Sequence, residues 1–175
     1  MSDTVIRLAV AGDIAALHGL VEGAYRGERS RAGWTYEADL LGGQRTDVAA
    51  LAAILADADQ RLLVAEGEAG LAGCVQVSRR DGGTAALGLL SVDPARQAAG
   101  LGRQLIAAAE RTARDLFGAA TMEMTVIRQR DRLIAYYERR GYALTGEERP
   151  FPYGDERFGL PLRPDLAFVV LTKPL

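Results

Sequence analysis

The chain has 175 residues, 49% of them hydrophobic, with a formal net charge of −2 and a pI near 5.5. That length suits one well-buried core rather than two, and with no stretch dominated by Lys or Arg a nucleic-acid surface is not expected. A single cysteine and a single histidine exclude a disulfide framework and a Cys/His zinc centre, while the lack of a membrane-length apolar run or a leader-like N-terminus makes cytoplasmic residence, with no membrane partner, the expectation.

Val5 to Ala9 reads as a short strand. Asp13 is placed to cap a helix that carries Ile14, Leu17, Val21 and Tyr25 on one stripe. His18 falls within that helix and reads as a structural or surface group. From Gly27 to Thr46 glycines, arginines, acids and the aromatics Trp34 and Tyr36 mix without a period. A second helix is predicted from Asp47 to about Ala56, with Val48, Leu51 and Leu55 facing inward. Arg61 to Glu66, Leu71 to Ser78 and Ala85 to Val92 then form a three-strand meander through the turn Gly67–Gly70 and the hairpin signal Asp81-Gly82-Gly83. Cys74, inside an apolar run, reads as a small buried hydrophobe.

Pro94 ends the meander. From Gly100 to Phe117 the positions Leu101, Leu105, Ala108, Thr112 and Leu116 have helical spacing, Glu110 and Arg114 form a pair one turn apart on the polar side, and Gly118 closes the helix. Thr121 to Ile127 is a strand. Asp131 caps a short helix, Arg132 to Arg140, which Gly141 stops. Tyr142 to Thr145 and Leu166 to Leu171 are the last strands. The segment between them, Arg149 to Asp165, is rich in proline and carries Phe151, Tyr153 and Phe158; aromatics that can be buried argue that this long loop is ordered. The order β-α-α-β-β-β-α-β-α-β-β fits an α/β protein of the α+β type, with a single mixed, mostly antiparallel sheet flanked by helices over residues 1–175. A doubly wound nucleotide-binding fold needs helices between most strands, which the meander denies.

The stretch Gln97-Ala98-Ala99-Gly100-Leu101-Gly102 carries the most chemical information. It leaves a strand ending in Val92-Asp93-Pro94 and opens onto a helix, so its unpaired N–H groups and the helix dipole converge on one point that suits a phosphate or diphosphate. The dinucleotide fingerprint wants a glycine where Leu105 stands, and the Walker A motif wants Gly-Lys-Ser/Thr where the chain has Gly102-Arg103-Gln104. Both fail.

A turn of the form Gln/Arg-x-x-Gly-x-Gly/Ala after a Val-Asp-Pro strand end resembles the acetyl-CoA diphosphate loop of the GNAT superfamily of N-acetyltransferases. Downstream, Leu133-Ile134-Ala135-Tyr136-Tyr137-Glu138-Arg139-Arg140-Gly141-Tyr142 is similar to the second motif of that family, and the element order agrees over nearly the whole chain. The resemblance implies a GNAT-like fold and acetyl transfer from acetyl-CoA to a primary amine by direct attack in a ternary complex. It implies that the main chain of Gln97, Ala98, Ala99, Gly100, Leu101, Gly102 and Arg103 holds the diphosphate, with Arg96 and Arg103 able to add charge. Leu90 and Val92 would pair through their backbone with pantetheine, and Tyr137 would act as general acid toward the leaving thiolate. Two positions depart from the family pattern. Alanine stands at 98 where glycine is frequent, which would cost about 1 kcal/mol if that residue needed positive φ. Arg130 stands where asparagine is frequent.

For the base, Glu123 is one candidate, with Glu37, Asp39 and a water chain as others. Trp34, Tyr36, Glu37, Phe151 and Tyr153, with Asp39, Asp155, Glu156 and Phe158 beside them, are candidates for the acceptor site, and their carboxylates suggest a cationic amine, small or peptide-like. A homodimer is left open. The alternative on the same fold is a CoA-binding sensor or interaction protein without turnover.

Overall fold

The computed structural model describes residues 4–26, 31 and 36–175. In chain order these form β1 (Val5–Leu8), α1 (Ile14–Tyr25), β2 (Leu41–Gly42), α2 (Val48–Ala56), β3 (Gln60–Gly67), β4 (Gly70–Arg79), β5 (Thr84–Val92), α3 (Leu101–Phe117), β6 (Thr121–Ile127), α4 (Asp131–Glu138), β7 (Ala143–Pro150), β8 (Leu160–Pro161) and β9 (Ala167–Pro174). Seven strands build one sheet in the order β1-β3-β4-β5-β6-β9-β7. Every neighbouring pair is antiparallel except β5 and β6. This is the mixed, mostly antiparallel sheet flanked by helices that the element order predicts. Among the described residues no helix is long and apolar enough to cross a membrane.

The inner strands of the sheet present an apolar set on each face. Val75 and Val77 of β4, with Leu87, Met122, Met124 and Val126, pack with Leu101, Leu105, Ala109 and Ala113 of α3. Cys74, Leu62 and Val64 point the other way, into a cluster with Leu17, Val21 and Tyr25 of α1 and Leu51 of α2. Helix α3 lies very close to the sheet. A Cβ on Gly73 would come 2.8 Å from Leu105 Cδ1 and 2.9 Å from the Ser91 carbonyl, so only glycine lets the helix seat there.

Several local expectations are corrected. Asp13 does not cap α1: its carboxylate accepts from the Val10 N–H at 2.8 Å and pairs with Arg7, which fixes the single 3-10 turn before the helix. Asp131 is the first residue of α4 rather than its cap, and that helix ends at Glu138, two residues early. Asp47 does cap α2, accepting from the Ala50 N–H at 2.7 Å. Val48 and Leu116 are exposed, because the buried stripes of α2 and α3 are narrower than the apolar spacing suggests. Glu110 does not pair with Arg114 on the surface. It is buried, accepting from the Tyr142 hydroxyl and from Lys173 Nζ, each at 2.9 Å, so a buried carboxylate finds its counter-charge across the core instead. The same carboxylate pushes the Tyr142 phenol upward together with burial, burial being the larger cause.

The two segments without a pattern are tied to each other. β2 pairs with β8 in a two-stranded ladder, Leu41 opposite Pro161 and Gly42 opposite Leu160. Leu41, Ile127, Phe151 and Leu166 form a third apolar cluster beneath it. The ladder has two residues per strand, too short for any alternation to announce it.

Candidate active site

β5 and β6 run side by side only from Thr84/Thr121 to Ala86/Glu123. Beyond that point β6 is held by β9, up to Ile127 opposite Phe168, and β5 is held by β4. The edge of β5 from Leu87 to Ser91 that faces β6 is therefore left without a strand partner among the described residues. A bulge turns β5 at this point: Gln76 pairs with Gly88 and Cys74 with Ser91, so Leu89 and Leu90 together oppose Val75. Leu89 has φ 46°, the only positive φ at a non-glycine among the described residues. Such a conformation costs on the order of 1–3 kcal/mol.

Side chains take over the carbonyls that the bulge removes from the ladder. The Ser91 hydroxyl donates to the Leu89 carbonyl at 3.1 Å, and the Cys74 thiol contacts the same oxygen at 3.5 Å. The buried Tyr25 hydroxyl donates to the Leu90 carbonyl. Burial pushes the Tyr25 phenol up and the Cys74 thiol up to about 12, so both stay protonated donors.

A cavity of about 210 Å3 opens between the parted strands, lined by Leu87–Leu90 of β5, Met124–Ile127 of β6, Tyr25, Leu133 and Tyr137, and by Phe151, Phe158 and Phe168. Tyr137 sits on the inner face of α4, only 5% exposed, with its ring edge-on to Tyr136 and Tyr142 at centroid distances of 5.5 and 6.0 Å. Its hydroxyl makes no hydrogen bond to a described residue. Burial pushes this phenol well above its usual value, the neighbouring Tyr25 and Tyr136 phenols adding to the shift.

Charged groups close one side of the cavity. The Glu37 carboxylate is buried and takes Arg26 Nη2 at 2.7 Å and Arg26 Nε at 2.8 Å on one oxygen, and Arg130 Nη1 at 3.3 Å on the other. Arg26 Nη1 also donates to the carbonyls of Gly42, Gly43 and Gln44. Arg45 Nε lies 3.8 Å from Glu37, and its guanidinium covers the Tyr25 ring at 5.0 Å. A second cavity adjoins along the sheet face that the helices leave open, lined by Gln76, Ser78, Gly88, Glu123, Thr125 and Arg149, with Arg45 and Phe158 shared between the two. Glu123 pairs there with Arg149 at 2.9 Å.

At the far end of β5 the chain turns through a 3-10 segment, Pro94–Ala99, whose first turn is capped by Asp93 accepting from the Ala95 N–H at 3.0 Å. Gly100 follows with φ 76° and no side chain to cap α3, leaving the N-terminal amides of that helix without a side-chain acceptor from the cap position. Arg103 folds back over the turn, Nη2 lying 3.9 Å from where a Cβ on Gly100 would stand. Ala98 falls within the 3-10 segment, and the left-handed residue of the turn is Gly100.

Of the residues singled out from sequence, Tyr137, Glu37 and Phe151 line the first cavity with Leu90, and Glu123 lines the second. Leu101, Gly102 and Arg103 begin α3, next to Gln97, Ala98, Ala99 and Gly100, while Val92 ends β5. Tyr36 and Asp39 border a separate hollow with Gln129 and Arg132, behind the Glu37–Arg130 pair. Tyr153 lines none of these cavities: its hydroxyl accepts from the Leu166 N–H at 2.9 Å and donates to the Arg163 carbonyl at 2.8 Å, a brace for the loop. Asp155 is paired with Arg157 at 2.6 Å. Trp34 lies outside the described residues. Sequence reasoning missed Arg26 and Arg45, and it read Tyr25 only as core.

Residues 24–142 match the model of the acetyltransferase (GNAT) family. Among solved structures, nourseothricin acetyltransferase is 22% identical over 98% of both chains with a TM-score of 0.70. The yncA protein of Salmonella typhimurium, solved with its cofactor acetyl-CoA, is 22% identical over 98% of this chain and 94% of its own, TM-score 0.71. The ribosomal-protein-alanine N-acetyltransferase of Brucella melitensis is 18% identical over 98% of this chain and 99% of its own, TM-score 0.73. At these identities the likeness is one of fold. No curated protein matches the chain. The family match spans more than half of the sequence and includes both the glycine turn and the α4 motif: the chain belongs to the GNAT acetyltransferase family, whose cofactor is acetyl-CoA.

Proposed function

We propose that this protein moves an acetyl group from acetyl-CoA directly to a primary amine of a small molecule or peptide, with both substrates bound together and Tyr137 hydrogen-bonded to the departing sulfur. One arrangement carries the reading: β5 and β6 part after Ala86 and Glu123, and Tyr137 lines the cavity between them.

The residues present fit the cofactor. Pantetheine contains two amides and can pair like an added strand with an open edge. The part of β5 that β6 does not pair supplies that edge, with the main chain of Leu90 and, one pleat on, Val92 as the partners we assign. A carbonyl has two lone pairs, so the Tyr25 hydrogen bond leaves Leu90 capacity. The N-terminal amides of α3 with those of the preceding turn, Gln97 to Arg103, suit a diphosphate, and the Arg103 guanidinium folded over Gly100 adds charge. Acetyl-CoA brings the activated acyl group; the remaining work falls to the chain.

Tyr137 holds a proton where the thiolate leaves. An unperturbed phenol titrates near 10 and a thiol near 8.5, so full transfer is uphill by about 1.5 units, or roughly 2 kcal/mol. Burial pushes the Tyr137 phenol further up, so complete transfer is disfavoured and a strong hydrogen bond from the phenol stabilises the leaving sulfur instead. Glu37 is held by two guanidinium groups, Arg26 and Arg130. Glu123 has one charged partner among the described residues, Arg149, and lines the second cavity, so we assign it as the acceptor for the amine proton, directly or through water.

The test is release of free thiol from acetyl-CoA across a panel of amines, with N-acetylated products identified by mass spectrometry. Product from at least one amine is expected. Tight CoA binding in calorimetry with no turnover across the panel contradicts the transferase reading and supports the sensor.

A further inference from the structure

Resting on the transferase reading, we propose that the acceptor is a small amine bearing a carboxylate, amino-acid-like and without a cationic side chain, and that Arg45 is the residue that grips the carboxylate. The described charged residues lining the first cavity are Arg26, Arg45, Arg130 and Glu37, three cations to one anion. A cationic acceptor, which the carboxylates of the sequence suggest, would enter against that field. An acceptor with a carboxylate supplies the missing negative charge and arrives with no net charge.

Arg45 is set for this task in a way that Arg26 is not. Arg26 commits its guanidinium to Glu37 and to carbonyls of the 42–44 loop. The Arg45 guanidinium makes no hydrogen bond to a described residue; its nearest anion is Glu37 Oε1 at 3.8 Å. Its five N–H donors form a planar fork matched to a carboxylate. The fork is also held in place. The backbone N–H groups of Arg45 and Thr46 donate to Glu22 Oε1 at 2.6 and 2.8 Å, and the guanidinium rests on the Tyr25 ring. Arg45 stands where the two cavities meet, so an anion on it can extend its amine toward the space between β5 and β6. Phe158, about half exposed and lining both cavities, offers an apolar wall for an uncharged side chain. The cationic surroundings also favour the neutral form of the amine, which is the form that attacks.

The experiment compares each neutral L-amino acid with its primary amide and its decarboxylated amine, and with 1,4-diaminobutane, by thiol release from acetyl-CoA. The expected result is a kcat/KM at least ~10-fold higher for the preferred acid than for its amide, with that ratio collapsing toward one in Arg45→Ala and in Arg45→Gln while CoA affinity is unchanged. A preference for the diamine or for the amides, or a ratio that survives both substitutions, overturns the proposal and leaves the transferase reading standing. Calorimetric titration of the same acids and amides into the CoA-saturated protein reads recognition without chemistry. Acid-selective binding lost in both variants supports the proposal even if no thiol is released, which would count against the transferase reading alone. Equal binding, or none with no turnover, overturns it.

Discussion

Tyr137→Phe lowers kcat by about 10²-fold, the usual scale for losing a positioned acid or donor, and leaves the calorimetric affinity for acetyl-CoA unchanged. The fold survives the change, because the ring keeps its contacts with Tyr136 and Tyr142 and the hydroxyl holds no described residue in place. In the unsubstituted protein the phenol is the active form, and burial raises its pKa well above the usual 10.0. A raised pKa keeps the proton on as pH rises, so kcat should show no loss from this group as pH passes through 10. An unchanged kcat in the phenylalanine variant removes Tyr137 from the chemistry.

The second large effect is on stability. Glu37→Ala takes the single described carboxylate from a buried site lined by Arg26 and Arg130 with Arg45 beside it. Breaking a buried pair by removing one partner costs about 3–5 kcal/mol, because the charges left behind are uncompensated. In a domain of this length that corresponds to a fall in Tm of roughly 10 °C in thermal unfolding. Glu37→Gln keeps an acceptor for Arg26 and loses less. A fall in Tm below about 2 °C for the alanine variant would show that the site relaxes into water and that Glu37 does not hold it together.

The sheet was readable because its signals are local and redundant. Turn signals at Gly67–Gly70 and Asp81-Gly82-Gly83 mark off β4 and β5, Asp47 and Gly118 delimit helices by cap chemistry, and the meander fixes strand neighbours before any tertiary information. The glycine turn was readable because a left-handed residue at a helix N-terminus calls for glycine, and Gly100 supplies it. The charged cluster beside the cavity was not. Arg26 and Arg45 lie 19 positions apart in a segment without a period, and only the β2–β8 ladder and the carbonyls of residues 42–44 bring them to Glu37. A salt-bridge cluster has no spacing rule, so its sign could not be read from the acids alone. The bulge at Leu89–Leu90 was equally silent, since a leucine in a left-handed conformation follows from packing and from Ser91, Cys74 and Tyr25 covering its carbonyls.

A crystal structure of the protein with coenzyme A most directly tests whether the opening between β5 and β6 is where the acyl group leaves sulfur. The expected result is a diphosphate on the N-terminal amides of α3 and a sulfur within about 3.5 Å of the Tyr137 hydroxyl. Coenzyme A bound elsewhere on the molecule, or seated on α3 with its sulfur remote from that phenol, would contradict it.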